Sequence, residues 1–137
     1  MPPVNQPMER ARYIAIRVKY TIDRRSSFIQ PNLNRILQRE QSDEQQEQFR
    51  EILGIEVQNL LQFSTLLLEL RHPFFVAETR ELASKVLKLI VPIRDQLSLL
   101  MKYRSREIAL QTNQVYEKLA NEMLPVLQSY LSSADQN

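Results

Sequence analysis

Gly54 is the only glycine in a chain of 137 residues. Hairpin turns and phosphate-cradling loops both draw on glycine for positive φ, so a chain this poor in it has few routes to a multi-stranded sheet. One stretch reads the other way. RYIAIRVKYTID, from Arg12 to Asp23, alternates Ile14, Ile16, Val18, Tyr20 and Ile22 with Ala15, Arg17, Lys19 and Thr21. A strand there would have no second alternating β-branched run to pair with, and its backbone groups would lack partners. At about 100° per residue, Met8, Ala11, Ile14, Ala15, Val18, Ile22 and Ile29 instead fall on one arc, the core stripe of a helix.

The rest of the chain repeats that logic. Pro7 suits a first helical turn, where its missing N–H is no loss. Pro31 would ordinarily stop a helix, yet Leu33 and Ile36 continue the arc of Ile29, so one kinked helix over about 8–40 is expected. Ser42 and Gln45 have capping-box spacing and open a second helix over about 43–72, closed by Pro73. The third segment keeps phase across Pro92 and is expected over about 74–103. Thr112, Val115, Leu119, Met123 and Val126 mark a fourth over about 106–132, with Pro125 inside it.

These helices are of similar length and joined by short connections, which predicts an all-α, antiparallel four-helix bundle in a single domain over 1–137. Two alternatives stay open. The linker KYRSRE at 102–107 has no Gly, Pro or Asn, so one long C-terminal helix in a three-helix arrangement is possible on sequence grounds. Pro92 and Pro125, both inside apolar runs, leave room for a short α-solenoid. Charge favours the bundle: eight cationic against two acidic residues in 1–39, two against seven in 40–72, six against three in 73–104, two against four in 105–137. The net sign alternates, so sequential neighbours are complementary.

Composition narrows the function classes. With 43% apolar and 25% charged residues and no window near the ~20 uncharged apolar residues of a membrane span, a soluble chain without a membrane role is expected. The start, MPPVNQPMERAR, has no apolar signal region, which points to the cytoplasm. There is no Cys and one His, so zinc sites and Ser–His or Cys–His pairs lack their parts. A single glycine excludes a P-loop or dinucleotide fingerprint.

His72, beside Pro73, is expected to cap terminal carbonyls at its helix end or to meet the negative end of the helix dipole. Glu69 and His72 have the Glu-x-x-His spacing of di-metal bundles, but such a site needs two copies and two further inward carboxylates. No acidic residue is read as interrupting a core stripe. The expectation is therefore a protein that is not an enzyme and holds no cofactor or metal.

Surface chemistry remains. Tyr13, Ile16 and Tyr20 project opposite the core arc of the first helix, bordered by Arg17 and Arg24 on one side and by Arg12 and Lys19 on the other. Aromatic rings beside arginine are the usual material of protein-interface hot spots, so Tyr13, Ile16, Arg17, Tyr20 and Arg24 are the candidate partner-binding residues. The second helix is apolar around most of its circumference, which makes Ile55, Phe63, Leu66 and Leu70 a candidate homo-oligomer interface. The functional expectation is a protein–protein interaction module, an adaptor, assembly factor or regulator. Nucleic-acid binding by the basic first helix is the alternative.

Overall fold

In a computed structural model, which describes residues 6–38 and 42–135 and the side chains of 10–38 and 42–131, the chain is an all-α bundle of four helices. The first, α1, runs from 6 to 38 as an α-helix at Gln6–Arg24, a π-helical turn at Arg25–Ile29 and a second α-helical stretch at Gln30–Gln38. It is followed by α2 at Asp43–Glu69, α3 at Ala77–Lys102 and α4 at Arg106–Asp135. The RYIAIRVKYTID stretch is entirely helical. The end expected at residue 40 falls in 39–41, outside the described residues, as does the side chain of Met8.

Local chemistry accounts for the boundaries. Ser42 and Gln45 form the capping box in full, the Ser42 hydroxyl accepting from Gln45 N–H and the Gln45 side chain accepting from Ser42 N–H. Three residues before His72, α2 stops at Glu69, because its last turn tightens: Arg71 N–H bonds to the Leu68 carbonyl and His72 N–H to that of Glu69. The imidazole does not cap those carbonyls. Its Nδ1 accepts from Phe74 N–H at 3.0 Å and so steadies the turn around Pro73, which delays α3 to Ala77.

The polar linker does break the chain between α3 and α4, so the long C-terminal helix is not formed. Tyr103 is extended, the Ser105 hydroxyl accepts from Ile108 N–H at 3.0 Å as an N-cap, and the Arg104 guanidinium donates to the Gln46 side chain and carbonyl at the start of α2. Serine and arginine do here what glycine does in most turns. Gly54 itself lies in the middle of α2, where a Cβ would meet only the Met101 tip at 3.8 Å. Pro92 and Pro125 sit inside unbroken helices. Both prolines, and Lys88 and Asn121 four residues before them, are exposed, so each carbonyl left without an N–H partner belongs to a solvent-facing residue.

Packing closes the bundle from end to end. Along one side α2 packs on α3 and α3 on α4, while α1 lies across α3 and α4 and meets α2 chiefly around its π-turn. Contact between first and last helices gives one shared core, whereas a solenoid repeat touches only its sequence neighbours. That core is built from Ile14, Leu33, Phe49, Leu60, Phe63, Ile90, Ile93, Leu97, Tyr116 and Leu119, among others.

The π-turn sets the register of α1. Ile14, Thr21, Ile29 and Ile36 are all buried, and they are separated by seven, eight and seven residues. Two α-turns take about 7.2 residues, so seven keeps a side chain on its face. A π-turn adds about one residue, so eight does the same across it. Gln30 N–H reaches back five residues to the Arg25 carbonyl, which places the extra residue here. The irregularity expected at Pro31 thus lies just before it, where a wider turn gives the proline ring room that an α-turn lacks.

Candidate functional site

The seam between α1 and α2 carries Arg17, Arg24 and Phe63 of the residues singled out from the sequence. Arg10, Arg17 and Arg24 share one face of α1, seven residues apart. Each guanidinium is used inside the protein. Arg10 lies over the Phe75 ring at 4.7 Å, Arg17 over Phe63 at 5.0 Å, and Arg24 binds Glu56 in a two-point fork, Nε to Oε2 at 2.7 Å and Nη2 to Oε1 at 3.1 Å. Phe63 and Glu56 are also seven residues apart, so two rungs of an antiparallel ladder join the helices by cation–π and charge-assisted contacts.

Glu56 corrects the reading that no acidic residue enters the core, because it is 3% exposed. The signal was present: Phe49, Leu53, Leu60 and Phe63 stand seven and three residues before it and four and seven after it, the spacing of one helical face. It was hidden because α2 is apolar around most of its surface, leaving the centre of its core face undefined. Thr21, fully buried, accepts a further bond from Arg24 Nη2 at 3.3 Å. Opposite them on α4 lies buried Tyr116, a position the periodic reading of that helix passed over.

Arg25 packs over the Tyr116 ring at 5.5 Å and approaches Glu117 at 3.9 Å. The Tyr116 hydroxyl and Arg25 Nε, both closed to solvent, have no hydrogen-bond partner within the protein. Burial, and then the negative charge of Glu56, hold Tyr116 neutral far above the ordinary tyrosine range, against the opposing pull of Arg24 and Arg25. Tyr130 is pushed up to about 12, by burial and by donating to Glu78 at 2.9 Å.

Native chains keep these phenols protonated while unfolded chains ionise them near pH ~10, so stability is fully present below pH ~10 and falls above it. Urea midpoints measured from pH 8 to 12 are expected to drop more steeply for the parent than for Tyr116→Phe. At neutral pH that variant is expected to match or exceed the parent, since it removes a buried hydroxyl without a partner. Equal alkaline slopes would show that Tyr116 is not the group responsible.

Placement of the other candidates is mixed. Tyr13 and Tyr20 are exposed, at 46% and 54%, and Ile16 is half-buried. The Tyr13 hydroxyl accepts from Arg17 Nη1 at 3.1 Å, so Arg17 bridges the exposed ring of Tyr13 and the buried ring of Phe63. Arg24 is turned inward. Of the four residues proposed on the second helix, Phe63 and Leu70, the residue just after α2, lie in the core, Leu66 is half-buried and only Ile55, at 65%, is exposed; Leu61 and Leu68 are the other exposed apolar side chains of α2.

One residue of the outer face was missed. Phe28 is 54% exposed and stands eight residues after Tyr20, which itself stands seven after Tyr13. That is the seven-then-eight spacing of the buried Ile14, Thr21 and Ile29. The π-turn therefore sets Phe28 on the line of Tyr13 and Tyr20, where an unbroken α-helix would have rotated it away by about 80–100°.

Among the described residues no group of three or more His, Asp or Glu side chains could hold a metal ion, and no helix is long and apolar enough to cross a membrane. No family model, no curated protein and no solved structure matches the chain, so the reading of this face rests on its own chemistry.

Proposed function

We propose that the chain is a non-enzymatic protein-binding module, an adaptor or assembly factor, that engages its partner through the outer face of α1. The observation that carries this reading is the line of Tyr13, Tyr20 and Phe28, three exposed rings about two turns apart on one helix. Rings of this kind bring large contact area with little side-chain entropy to lose, and they dominate binding energy at protein interfaces. Ile16 and the Arg17 guanidinium border the line, and Ile55 lies exposed on the neighbouring helix. Self-association through this face is one form the partner takes.

Nucleic-acid binding by the basic first helix draws less support from the same geometry. Arg10, Arg17, Arg24 and Arg25 each have a ring or carboxylate beside them, which leaves Arg12, Lys19 and Arg35 as the exposed cations described on α1 without such a partner.

Tyr13→Ser/Tyr20→Ser/Phe28→Ser tests the proposal. Surface substitutions away from packing change stability by roughly 0.5 kcal/mol or less each, so the melting curve is expected to stay close to that of the parent. Capture of partner, and any self-association seen by sedimentation across micromolar concentrations, are expected to be lost. Undiminished binding by the folded variant would remove this face from the function. A large fall in stability would show that the rings serve the fold.

A further inference from the structure

A second surface lies on the opposite pair of helices. Between α3 and α4, closed at one end by the turn after α2, is a groove of about 610 Å³. Its walls bring together Arg71, Arg80, Lys85, Lys88 and Lys118, with Glu81 and Glu122 the two acidic residues in reach. The groove therefore holds a net charge of +3, in a chain whose whole net charge is +2.

Elsewhere the protein brings cations and carboxylates together: Arg24, Arg25, Arg50 and Arg94 each have one within 4.0 Å. None of the five groove cations has such a partner among the described residues, although two glutamates line the same walls. Arg80 itself is only partly exposed, with its Nε closed to solvent and without a hydrogen-bond partner in the protein, so packing holds its guanidinium at the wall. Five like charges along one concave surface repel one another and focus a positive potential into it.

We propose that this groove binds a small polyphosphate-bearing anion. The volume lies within the ~300–1,000 Å³ of small-molecule sites. A ligand carrying several phosphate charges matches the net charge of the walls, which a single carboxylate does not. Arginine gives planar, two-point recognition of phosphate oxygens and lysine gives point charge, and both kinds of donor are present. Nothing in this site involves the Tyr13–Tyr20–Phe28 face, so the two proposals stand or fall separately.

The test is calorimetric titration of the full chain with inorganic tripolyphosphate at low ionic strength, repeated in ~0.15 M salt. One saturable site per chain is expected, weakened by salt. In Arg80→Gln/Lys88→Gln the Kd is expected to rise roughly tenfold or more, with an unchanged melting curve. Arg12→Gln/Lys19→Gln, on the exposed side of α1, is expected to bind as the parent does. Absence of saturable binding would overturn the proposal, and so would equal weakening in both double variants, which would mean diffuse charge only. Vesicles of phosphatidylcholine and phosphatidic acid, and a single-stranded oligonucleotide, are run alongside. Binding to either one without binding of tripolyphosphate would overturn the small-molecule assignment in favour of a lipid surface or a nucleic acid.

Discussion

Arg24→Met is expected to lower the free energy of unfolding by about 3–5 kcal/mol, the cost of leaving a buried carboxylate without its counter-charge. Glu56 is enclosed by the core and receives two bonds from Arg24, which itself is largely covered. Restoring charge without geometry is not enough: Arg24→Lys offers one point of contact where the fork offers two, so it is expected to recover only part of the loss. Removing both partners has a different outcome. Arg24→Met/Glu56→Leu exchanges the pair for apolar groups of similar reach, and replacements of that kind are often neutral or stabilising. The double variant is therefore expected to unfold near the parent midpoint or above it. A double variant as damaged as the single one would show that the pair contributes through its shape and hydrogen bonds rather than by cancelling charge.

Deleting one residue from α1 is expected to be severe or mild according to which residue is removed. Deletion of Lys19 rotates the helix by about 100° at that point. Either Ala11, Ile14, Ala15 and Val18 leave the core, at a cost on the order of 5 kcal/mol in lost burial, or the π-turn closes to absorb the deletion. In the second case residues 20–24 rotate instead, Arg24 leaves Glu56, and the cost is again about 3–5 kcal/mol. Both routes consume much of the ~5–15 kcal/mol that holds a domain together. Deletion of Ser27 removes the extra residue where it already stands. Combined with Pro31→Ala, to spare the ring clash in a regular turn, it is expected to unfold within about 1 kcal/mol of Pro31→Ala alone. Urea denaturation read by far-ultraviolet circular dichroism separates these outcomes, and equal losses for the two deletions would show that the π-turn is not where the register is set.

Much of the fold was legible because helix periodicity and capping act locally. The Ser42–Gln45 box, the phase across Pro92 and Pro125, and the refusal of RYIAIRVKYTID to act as a strand needed nothing beyond residue spacing. What escaped reading had two physical causes. A one-residue shift in a heptad pattern, seven then eight, is nearly invisible at constant 100° per residue, since Ile29 stays within the apolar arc either way; with it went the alignment of Phe28. The other cause is the breadth of the apolar surface on α2. A helix with Ile55, Leu61 and Leu68 outside and Leu53, Leu60 and Leu67 inside gives hydrophobicity no direction, so Phe63 and Leu70 read as an interface and Glu56 goes unnoticed on the core face. Arginine misleads similarly: its long apolar stem lets it lie between helices, so Arg24, expected on the partner-binding face, turns inward to Glu56.

The closure of α1 onto α4 has a consequence for the order in which the chain assembles. Helices α2, α3 and α4 form an antiparallel meander through the short connections at 70–76 and 103–105, so their contacts are local and cheap in loop entropy. The meeting of Arg25 with Tyr116 and Glu117 joins parts of the chain far apart in sequence. Loop entropy therefore favours the α2–α4 contacts forming first, with α1 docking onto them as Arg24 meets Glu56. With α1 undocked, Glu56 would lose Arg24 and part of its cover. An α1 docked out of register would leave Glu56 buried without Arg24, at the desolvation cost of an unpaired carboxylate, so the pair selects one helix in one register.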